Sequence, residues 1–559
     1  MLEPTIPAVS SNLNPSVQAG CLSGLRFMPP GTPPPHDGVV YRSRGMALVI
    51  GDSLQAVEAA RELLKRVPTL RIALFAPGVS DLSSDLPSSI NAVSGRIVSL
   101  QGYLGQFSAS VRVAADKAED VGIFSANADQ RFDLVLDLCR EPLLRESVLP
   151  YGYYAPGDDA EALVRALDSL SQLTGDFHKP KYFDYRPQLC AHGAMGVAGC
   201  TRCLDVCATA AIRSTGEKIA VDPYLCHGCA SCTLACQTGA LSFQQPTPKA
   251  LKGMLNELLA ERGVDAETYF LVVHDAATRH LLPAMAAPEV LLFEVNPLPA
   301  FSDLLWLTAL VGGVSGVVLV MAPEIPPQSR KLVEQKVSEL SAILASLGGD
   351  SAAIQIATPV NLGIAIDDLK RCTRTSALAV AVNGNSSDEK RASLLAAVDA
   401  LARSAHATGQ SSGTLAEPCV LATGAAFGSV LVDPDKCTIC LACTHLCPSG
   451  ALSGQVDPAP ALYFKESLCM QCDLCRAGCP EKAITLQARF LPDAAAREAL
   501  RELASDQLVP CSSCGTLFIG RRKLAVSLAL MQEYAKDMPG GIDSLRMCPS
   551  CRQRETMMG

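Results

Sequence analysis

The sequence has few aromatic residues and no excess of positive charge. Aromatic residues make up 5% of the 559 residues, tryptophan occurs once, and the formal net charge is -9. Proteins that hold single-stranded nucleic acid stack its bases on aromatic side chains, and phosphate contacts need a basic surface. The composition therefore argues against nucleic acid as a partner and favours redox proteins with basic patches.

A secretory leader and an evident membrane span are also missing. Residues 1–20 contain no basic segment followed by an apolar one, and no paired arginines. One uncharged stretch runs from Leu304 to Ala322, but Gly312, Gly313 and Gly316 interrupt it. That pattern predicts a helix followed by a buried valine-rich strand. We therefore expect a cytoplasmic protein without a membrane span.

Cysteine, in contrast, is abundant. The chain has 24 cysteines, and most of them fall into tight groups of the C-x2-C type. Dense disulfide networks belong to small secreted domains, whereas grouped thiols in a large protein of a reducing compartment are typical of metal ligands. The groups therefore predict metal centres.

Two consecutive cysteine runs near the carboxyl end share one spacing. Each reads C-x2-C-x2-C-x3-C-P, and the runs are Cys437, Cys440, Cys443, Cys447 and Cys469, Cys472, Cys475, Cys479. This spacing resembles the two-[4Fe–4S] ferredoxin family, with a pair of zinc knuckles as the alternative. The resemblance implies that each fourth cysteine crosses to the neighbouring cluster. The implied ligand sets are Cys437, Cys440, Cys443, Cys479 and Cys469, Cys472, Cys475, Cys447.

A less regular copy of the pattern lies near residue 200. Its second run is complete, but its first run has Val197 where a first cysteine is expected, and Cys190 is the substitute. Crossed pairing then gives the sets Cys190, Cys200, Cys203, Cys236 and Cys226, Cys229, Cys232, Cys207. The alternatives are a three-cysteine cluster with an open iron, and His192 as ligand in place of Cys190. Otherwise His192, His227 and His445 are interpreted as surface polar residues or as hydrogen-bond donors to sulfide.

The last cysteines form two C-x2-C pairs separated by a helical stretch. They are Cys511, Cys514, Cys548 and Cys551, and four such thiolates suit one structural zinc ion. A fifth iron site or a redox dithiol is the alternative. The remaining Cys21, Cys139, Cys372 and Cys419 are interpreted as free thiols outside any metal site.

The segments between the cysteine runs have α/β patterns. Strands are predicted at 47–50, 72–75 and 134–138, and again at 270–273, 290–293 and 317–320, with helices near 330–347 and 388–404. The first segment is Rossmann-like in outline, but after Gly51 the phosphate-binding glycines are replaced, with Ser53 in the second position. The degraded fingerprint argues against a bound dinucleotide or flavin.

The order of these segments resembles iron–sulfur subunits related to the A subunit of heterodisulfide reductase, with residues 102–107 as a similar segment. Residues 313–320 faintly resemble the delta subunit of methyl-viologen-reducing hydrogenase. The predicted fold class is multidomain α/β plus α+β. The predicted segments are a disordered tail (1–40), a degenerate Rossmann-like domain (41–180), the first module (181–247), a second α/β domain (248–410), the second module (411–490) and a zinc-ribbon-like region (491–559).

The leading hypothesis is a polyferredoxin, an electron carrier with four [4Fe–4S] clusters and one zinc ion. Its partners are expected to be cytoplasmic redox proteins, with a formate dehydrogenase as one candidate. The alternatives are an accessory or maturation factor for an oxidoreductase, and an iron–sulfur flavoenzyme subunit. No residue is predicted to be catalytic, so an electron carrier is favoured over a stand-alone enzyme.

Overall fold

A computed structural model describes residues 25–29, 38–51, 54–79, 85–114, 117–261, 269–282, 289–372, 390–407, 417–531 and 541–558. The fold over these ranges is mixed α/β, with two parallel sheets and several smaller antiparallel ones. Within them, no helix is long and apolar enough to cross a bilayer.

The first α/β segment is built on a five-stranded parallel sheet. From edge to edge its strands are Ile90–Val93, Arg71–Phe75, Met46–Gly51, Leu134–Leu138 and Tyr153–Tyr154. Helices Leu54–Arg66 and Ala160–Ser171 cover one face, and an antiparallel sheet of Ile97–Gln101, Ser108–Ala114 and Lys117–Asp120 packs on the other. Because both faces are covered, the central strands are continuously apolar, which is the pattern that predicted them.

One strand lies inside the segment predicted as a disordered tail, residues 1–40, and a second strand begins in it. Arg26–Met28 and Gly38–Ser43 pair antiparallel with Gly175–Pro180 on its two sides. The tail prediction is therefore wrong for these two strands, because their apolar residues find partners far along the chain. Residues 1–24 and 30–37, the rest of the tail apart from residues 25 and 29, lie outside the described residues.

The middle segment has a four-stranded parallel sheet. Its strands are, in order, Val290–Glu294, Phe270–His274, Gly316–Val320 and Ile354–Ala357, and its helices are Pro248–Glu261, Asp303–Val311, Pro327–Ser346, Leu362–Cys372 and Lys390–Ala407. The uncharged stretch is thus a buried helix followed by a buried strand, as predicted. Gly348, which follows the long helix, has a φ of 80°, and this left-handed conformation ends the helix.

The two modules share one plan. In each, a strand before the first cysteine run pairs antiparallel with a strand after the last, and a hairpin separates the runs. The outer pairs are Phe183–Tyr185 with Leu241–Phe243, and Gly428–Val432 with Ile484–Phe490. The inner hairpins are Ile212–Ser214 with Ile219–Val221, and Leu452–Gln455 with Ala461–Lys465.

A short helix begins after the second cysteine of each run, counting Cys190 as the first of the irregular run, and contains the third. These helices are Arg202–Asp205, Ser231–Ala235, Ala442–Leu446 and Leu474–Ala477. The first module has an additional hairpin, Gly193–Ala194 with Val197–Ala198, between Cys190 and Cys200. The second is extended by strand Cys419–Val420, helix Ala494–Glu498 and strand Leu500–Ser505.

The carboxyl-terminal region is small, and its two strands form a sheet of their own. Strands Leu508–Pro510 and Leu517–Gly520 form a hairpin, and helices Arg521–Met531 and Pro549–Met558 follow. The helical stretch between the two cysteine pairs is therefore present. Single-turn 3-10 helices complete the described elements: Gly122–Phe124, Pro187–Leu189, Arg279–Leu281, Leu298–Ala300, Glu466–Leu468, and the longer Gly541–Arg546.

Candidate metal centres

The three regular cysteine runs bend the backbone in the same way. In each, the two residues that flank the second cysteine have positive φ. These residues are Gly228 and Ala230, Ile439 and Leu441, and Gln471 and Asp473. Side chains other than glycine rarely adopt this left-handed conformation, so its repetition indicates that the loop shape is imposed by what the loop surrounds.

Backbone N–H groups of the same loops donate to the cysteine sulfurs. The amide two residues after the first cysteine is the donor, as in Gly228 to Cys226 and Ile439 to Cys437. Gln471 repeats this toward Cys469, and its side-chain Nε2 lies 3.3 Å from the same sulfur. Such bonds favour a negatively charged sulfur, as in a metal-bound thiolate.

In the first module, four cysteines line one small cavity. We call this site 1, and its cysteines are Cys190, Cys200, Cys203 and Cys236. Tyr185 is hydrogen-bonded to Cys190, which holds that thiol at the cavity. The structure therefore brings Cys190 into the position that Val197 leaves vacant in the sequence pattern. Val197 itself lies in the additional hairpin.

A second cavity of the first module is lined by the other four cysteines. We call this site 2, and its cysteines are Cys207, Cys226, Cys229 and Cys232. Cys207 comes from the first run and the other three from the second. Cys207 therefore lies with the three cysteines of the opposite run, and the crossing of the fourth ligand in a bound cluster stays a prediction.

In the second module, the electrostatic neighbours of two buried cysteines indicate the same division. Burial and then the charges of Cys437, Cys440 and Cys479 raise the pKa of Cys443 to about 12. Burial and then Cys469, Cys472 and Cys447 raise the pKa of Cys475 well above its usual range. We call Cys447, Cys469, Cys472 and Cys475 site 3, and Cys437, Cys440, Cys443 and Cys479 site 4. Each fourth cysteine is therefore an electrostatic neighbour of the opposite run.

The chemistry of these donor sets fits an iron–sulfur cluster. The cysteines of sites 1 to 4 form no disulfide, and burial raises the pKa of Cys203 to about 12 and of Cys226 to about 11. Bare thiols in such surroundings stay protonated, so a cationic metal core is needed to make them thiolates.

One comparison with known proteins bears directly on this module. The model of the 4Fe-4S binding domain family matches residues 430–453, the segment that contains the first cysteine run of the second module. The chain contains a 4Fe-4S binding domain. An iron–sulfur electron-transfer role is accordingly supported. No curated protein matches the chain, so the wider resemblance to heterodisulfide reductase subunits stays a prediction.

The four terminal cysteines have a different geometry. In the part of the chain that the structure describes, Cys511, Cys514, Cys548 and Cys551 are the one group of three or more potential ligands whose donor atoms all lie within 4.8 Å. The sulfurs of Cys514 and Cys548 are 3.7 Å apart. Tetrahedral Zn–S bonds of about 2.3 Å place neighbouring sulfurs roughly 3.8 Å apart. This spacing fits a single ion, whereas a cluster, which binds each thiolate through a different iron, needs a wider set.

Hydrogen bonds prepare this terminal site for a metal. The amides of Ser513 and Cys548 donate to the sulfur of Cys511 at 3.4 and 3.2 Å. Burial opposes ionisation, but these amide bonds outweigh it and lower the pKa of Cys511 to about 6. Arg554 donates to Cys551 at 3.1 Å. Cys511 is thereby favoured as a thiolate before any ion binds.

The histidines near the runs are not arranged as ligands. Both ring nitrogens of His192 are engaged, Nδ1 at 2.8 Å from the carbonyl of Cys200 and Nε2 at 2.7 Å from Ser214 Oγ. His445 is exposed. His227 stacks on Tyr151 with ring centroids 4.0 Å apart, and burial, followed by the charge of Lys179, lowers its pKa to about 3. The geometry therefore favours Cys190 over His192 at site 1.

Buried cations beside the cysteine loops are the functional residues that sequence reasoning missed. Lys179 donates to the carbonyls of Pro223 and Cys226 at 2.6 and 2.7 Å, beside site 2. Burial lowers its pKa to about 8 against the opposing charge of Cys226. Lys390 donates to the carbonyl of Cys236 at 3.1 Å, beside site 1. The charge of Lys179 favours thiolates at site 2, whereas that of Lys390 also faces the buried carboxylate of Asp303 at 3.7 Å.

Arg391 has the same role at site 3. It donates to the carbonyls of Ser467 and Ala426 and stacks over the ring of Phe427, 4.8 Å from the centroid. Burial lowers its pKa to about 10, while the charge of Cys469 acts in the opposite direction. Single lysines and arginines at unrelated sequence positions carry no pattern, so the sequence offered no signal for them.

Among the described residues, the remaining cysteines and the Rossmann-like sheet form no further group of metal ligands. Cys419 donates to the carbonyl of Ala342, Cys139 lines a cavity of about 220 Å³ at the carboxyl ends of the strands, and Cys21 and the side chain of Cys372 lie outside the described residues. Ligand pockets usually measure roughly 300–1,000 Å³, so this cavity is small for a dinucleotide. Asp52 and Ser53 of the degraded fingerprint also lie outside the described residues.

Proposed function

We propose that the protein is a polyferredoxin that carries electrons between cytoplasmic redox partners through four [4Fe–4S] clusters at sites 1 to 4, with one zinc ion in the terminal site. The observation that carries this proposal is the repetition of one cysteine geometry in both modules. The family match covers the first run of the second module. The eight cysteines of the first module lie around two cavities, four at each.

A bound [4Fe–4S] cluster exchanges one electron without breaking a covalent bond of the protein. The residues of this chain bind it, exclude water and adjust its potential. Cysteine thiolates hold the irons, apolar neighbours such as Leu241 and Ile219 wall off site 1, and N–H groups donate to the sulfurs. Donors to sulfur and nearby cations stabilise the reduced, more negative state and raise the reduction potential.

Site 4 is the most open of the four and is our candidate for the point at which a partner docks. Cys440 is exposed, and Arg522, whose charge acts on Cys437, lies at the surface with its Nη1 2.6 Å from the carbonyl of Pro434. A redox partner can approach this site without a rearrangement of the fold. A formate dehydrogenase remains one candidate partner.

The metal content of the purified chain tests the proposal. Protein purified and reconstituted without oxygen is expected to contain about 16 Fe, four for each of four clusters, and about one Zn per chain. Dithionite reduction should give the electron paramagnetic resonance (EPR) spectrum of reduced [4Fe–4S] clusters. A colourless protein with zinc in sites 1 to 4 would refute the proposal, and a stoichiometric flavin would favour the flavoenzyme subunit.

A further inference from the structure

One arginine of the first module bonds to several backbone carbonyls of the second. The guanidinium of Arg202 donates to four backbone carbonyls of the later segment: Met470 at 3.0 Å, Gln471 at 3.1 Å, Ala425 at 3.2 Å and Gly424 at 3.4 Å. Two of these carbonyls belong to the loop between Cys469 and Cys472. Arg202 also donates its backbone N–H to Cys200. One residue therefore bonds to a cysteine of site 1 and to the loop of site 3.

Met470 forms a wall between the two sites. It lies between two cysteines of site 3 along the chain, and it lines the cavity of site 1 together with Cys200 and Cys203. Cys472 of site 3 is also within electrostatic reach of Cys200 of site 1, across the module boundary. Sites 1 and 3 are thus neighbours, although they are far apart in sequence.

The additional hairpin of the first module completes this junction. A Cβ atom on Gly199 would lie 2.6 Å from Cγ of Leu474, closer than real atoms approach. A Cβ atom on Gly478 would lie 3.3 Å from Val197 of the hairpin. Glycine at these two positions therefore leaves room for a side chain of the other module, Leu474 at Gly199 and Val197 at Gly478.

From these contacts we infer that Arg202 is a positioning residue that joins the two modules into one electron path crossing from site 1 to site 3. This inference rests on the proposed function. A transfer across the junction oxidises one site by one electron and reduces the other by one, with no bond formed or broken. The order along the path is site 2, site 1, site 3, site 4, since sites 1 and 2 share the first module and sites 3 and 4 the second.

The planar guanidinium is suited to this role because it donates in several fixed directions at once. Lysine at this position would keep the charge near Cys200, but its ammonium carries three donors on one atom and could not reach all four carbonyls of the two segments. The role is therefore separable from a general electrostatic effect on the potential of site 1.

Magnetic coupling between clusters tests the inference in the reconstituted full-length chain. With dithionite as reductant, two reduced paramagnetic sites that are close together broaden each other's EPR signals. We expect the EPR signals of the wild-type chain to be broadened both by the other cluster of the same module and by the neighbouring cluster of the other module. Arg202→Ala should lose the component between modules while it keeps its iron, and Arg202→Lys should lose most of it. Arg476→Ala is the matched control, because Arg476 is exposed and pairs with Asp473 of its own module.

A second variant decides the matter if Arg202→Ala does not fold. Cys472→Ser is expected to remove site 3, and the signals of the first module should then narrow. Unchanged first-module signals in Cys472→Ser, or full coupling in a folded Arg202→Ala, would overturn the inference and leave the proposed function intact. Absence of any iron–sulfur signal in the wild-type chain would overturn the proposed function and the inference with it.

Discussion

The two modules have the same strand pairing and the same crossing of ligands, but their first cysteine runs differ. In the second module the run is a single compact loop whose first cysteine is Cys437. In the first module the equivalent ligand, Cys190, lies as far after its outer strand as Cys437 does, and the hairpin Gly193–Ala194 with Val197–Ala198 is inserted between Cys190 and Cys200. The position of the first ligand is kept, and the chain between the first and second ligands changes.

This difference explains why the cysteine spacing of the first module could become irregular. Once Cys190 occupies its place at site 1, the inserted hairpin is free to make other contacts. It packs against helix Leu474–Ala477 of the second module. The irregular run is therefore the surface on which the two modules meet, and the regular run of the second module has its exposed cysteine, Cys440, at site 4.

The largest predicted effect comes from removing a fourth cysteine, which lies with the opposite run. This crossed arrangement is the feature that the two modules share. Cys479→Ser should empty site 4, and Cys236→Ser should empty site 1, because each of these cysteines lies with the opposite run. Each variant is expected to lose about four of about 16 irons. Iron analysis and EPR of the anaerobic protein measure the loss.

The control for these variants is Cys419→Ser, which removes a thiol bonded to the carbonyl of Ala342 and outside all five sites. It should keep its full iron content. If Cys479→Ser instead damaged site 3, the site formed by its own run, the two modules would not share the crossing and the site assignments would be wrong.

The second largest predicted effect concerns Cys190, which takes the place of a regularly spaced first cysteine at site 1. Cys190→Ser should remove the iron of site 1 alone. His192→Gln should retain all iron, since both ring nitrogens of His192 are already bonded to oxygen atoms. Loss of those bonds is expected to lower the free energy of unfolding by about 1 kcal/mol each. Iron analysis and thermal unfolding of both variants separate the two roles, and iron loss confined to His192→Gln would reverse our assignment.

Much of the fold could be predicted from the sequence because it depends on local patterns. The apolar strands at Phe270–His274, Val290–Glu294 and Gly316–Val320 lie where their uninterrupted hydrophobic runs placed them. The terminal helix between the cysteine pairs was also predicted. Arg26–Met28 was missed, since its pairing partner Asp176–His178 lies far away in the chain and its surroundings are rich in proline.

For the cysteine sites, the ligands could be predicted from the sequence but their charged neighbours could not. The spacing, through the ferredoxin resemblance, suggested which cysteines are ligands and which of them crosses to the neighbouring site. It could not suggest Lys179, Lys390 and Arg391, whose carbonyl partners are set by tertiary packing. It also could not suggest that Arg202, a residue within a metal-binding run, bonds mainly to the other module.

The smallest predicted effect concerns the position two residues after the first cysteine of each regular run, where the residue differs between the modules. Gly228, Ile439 and Gln471 occupy equivalent positions with positive φ, so the conformation alone does not demand glycine. At Gly228, however, a Cβ atom would lie 2.6 to 2.7 Å from ring atoms of Tyr182. Gly228→Ala should therefore lower the free energy of unfolding by about 1–3 kcal/mol through overpacking. In a Tyr182→Ala background the same change should cost clearly less, and thermal unfolding of the two single variants and the double variant measures this coupling. An equal penalty in both backgrounds would mean that backbone strain, and not the Tyr182 ring, requires glycine in the first module.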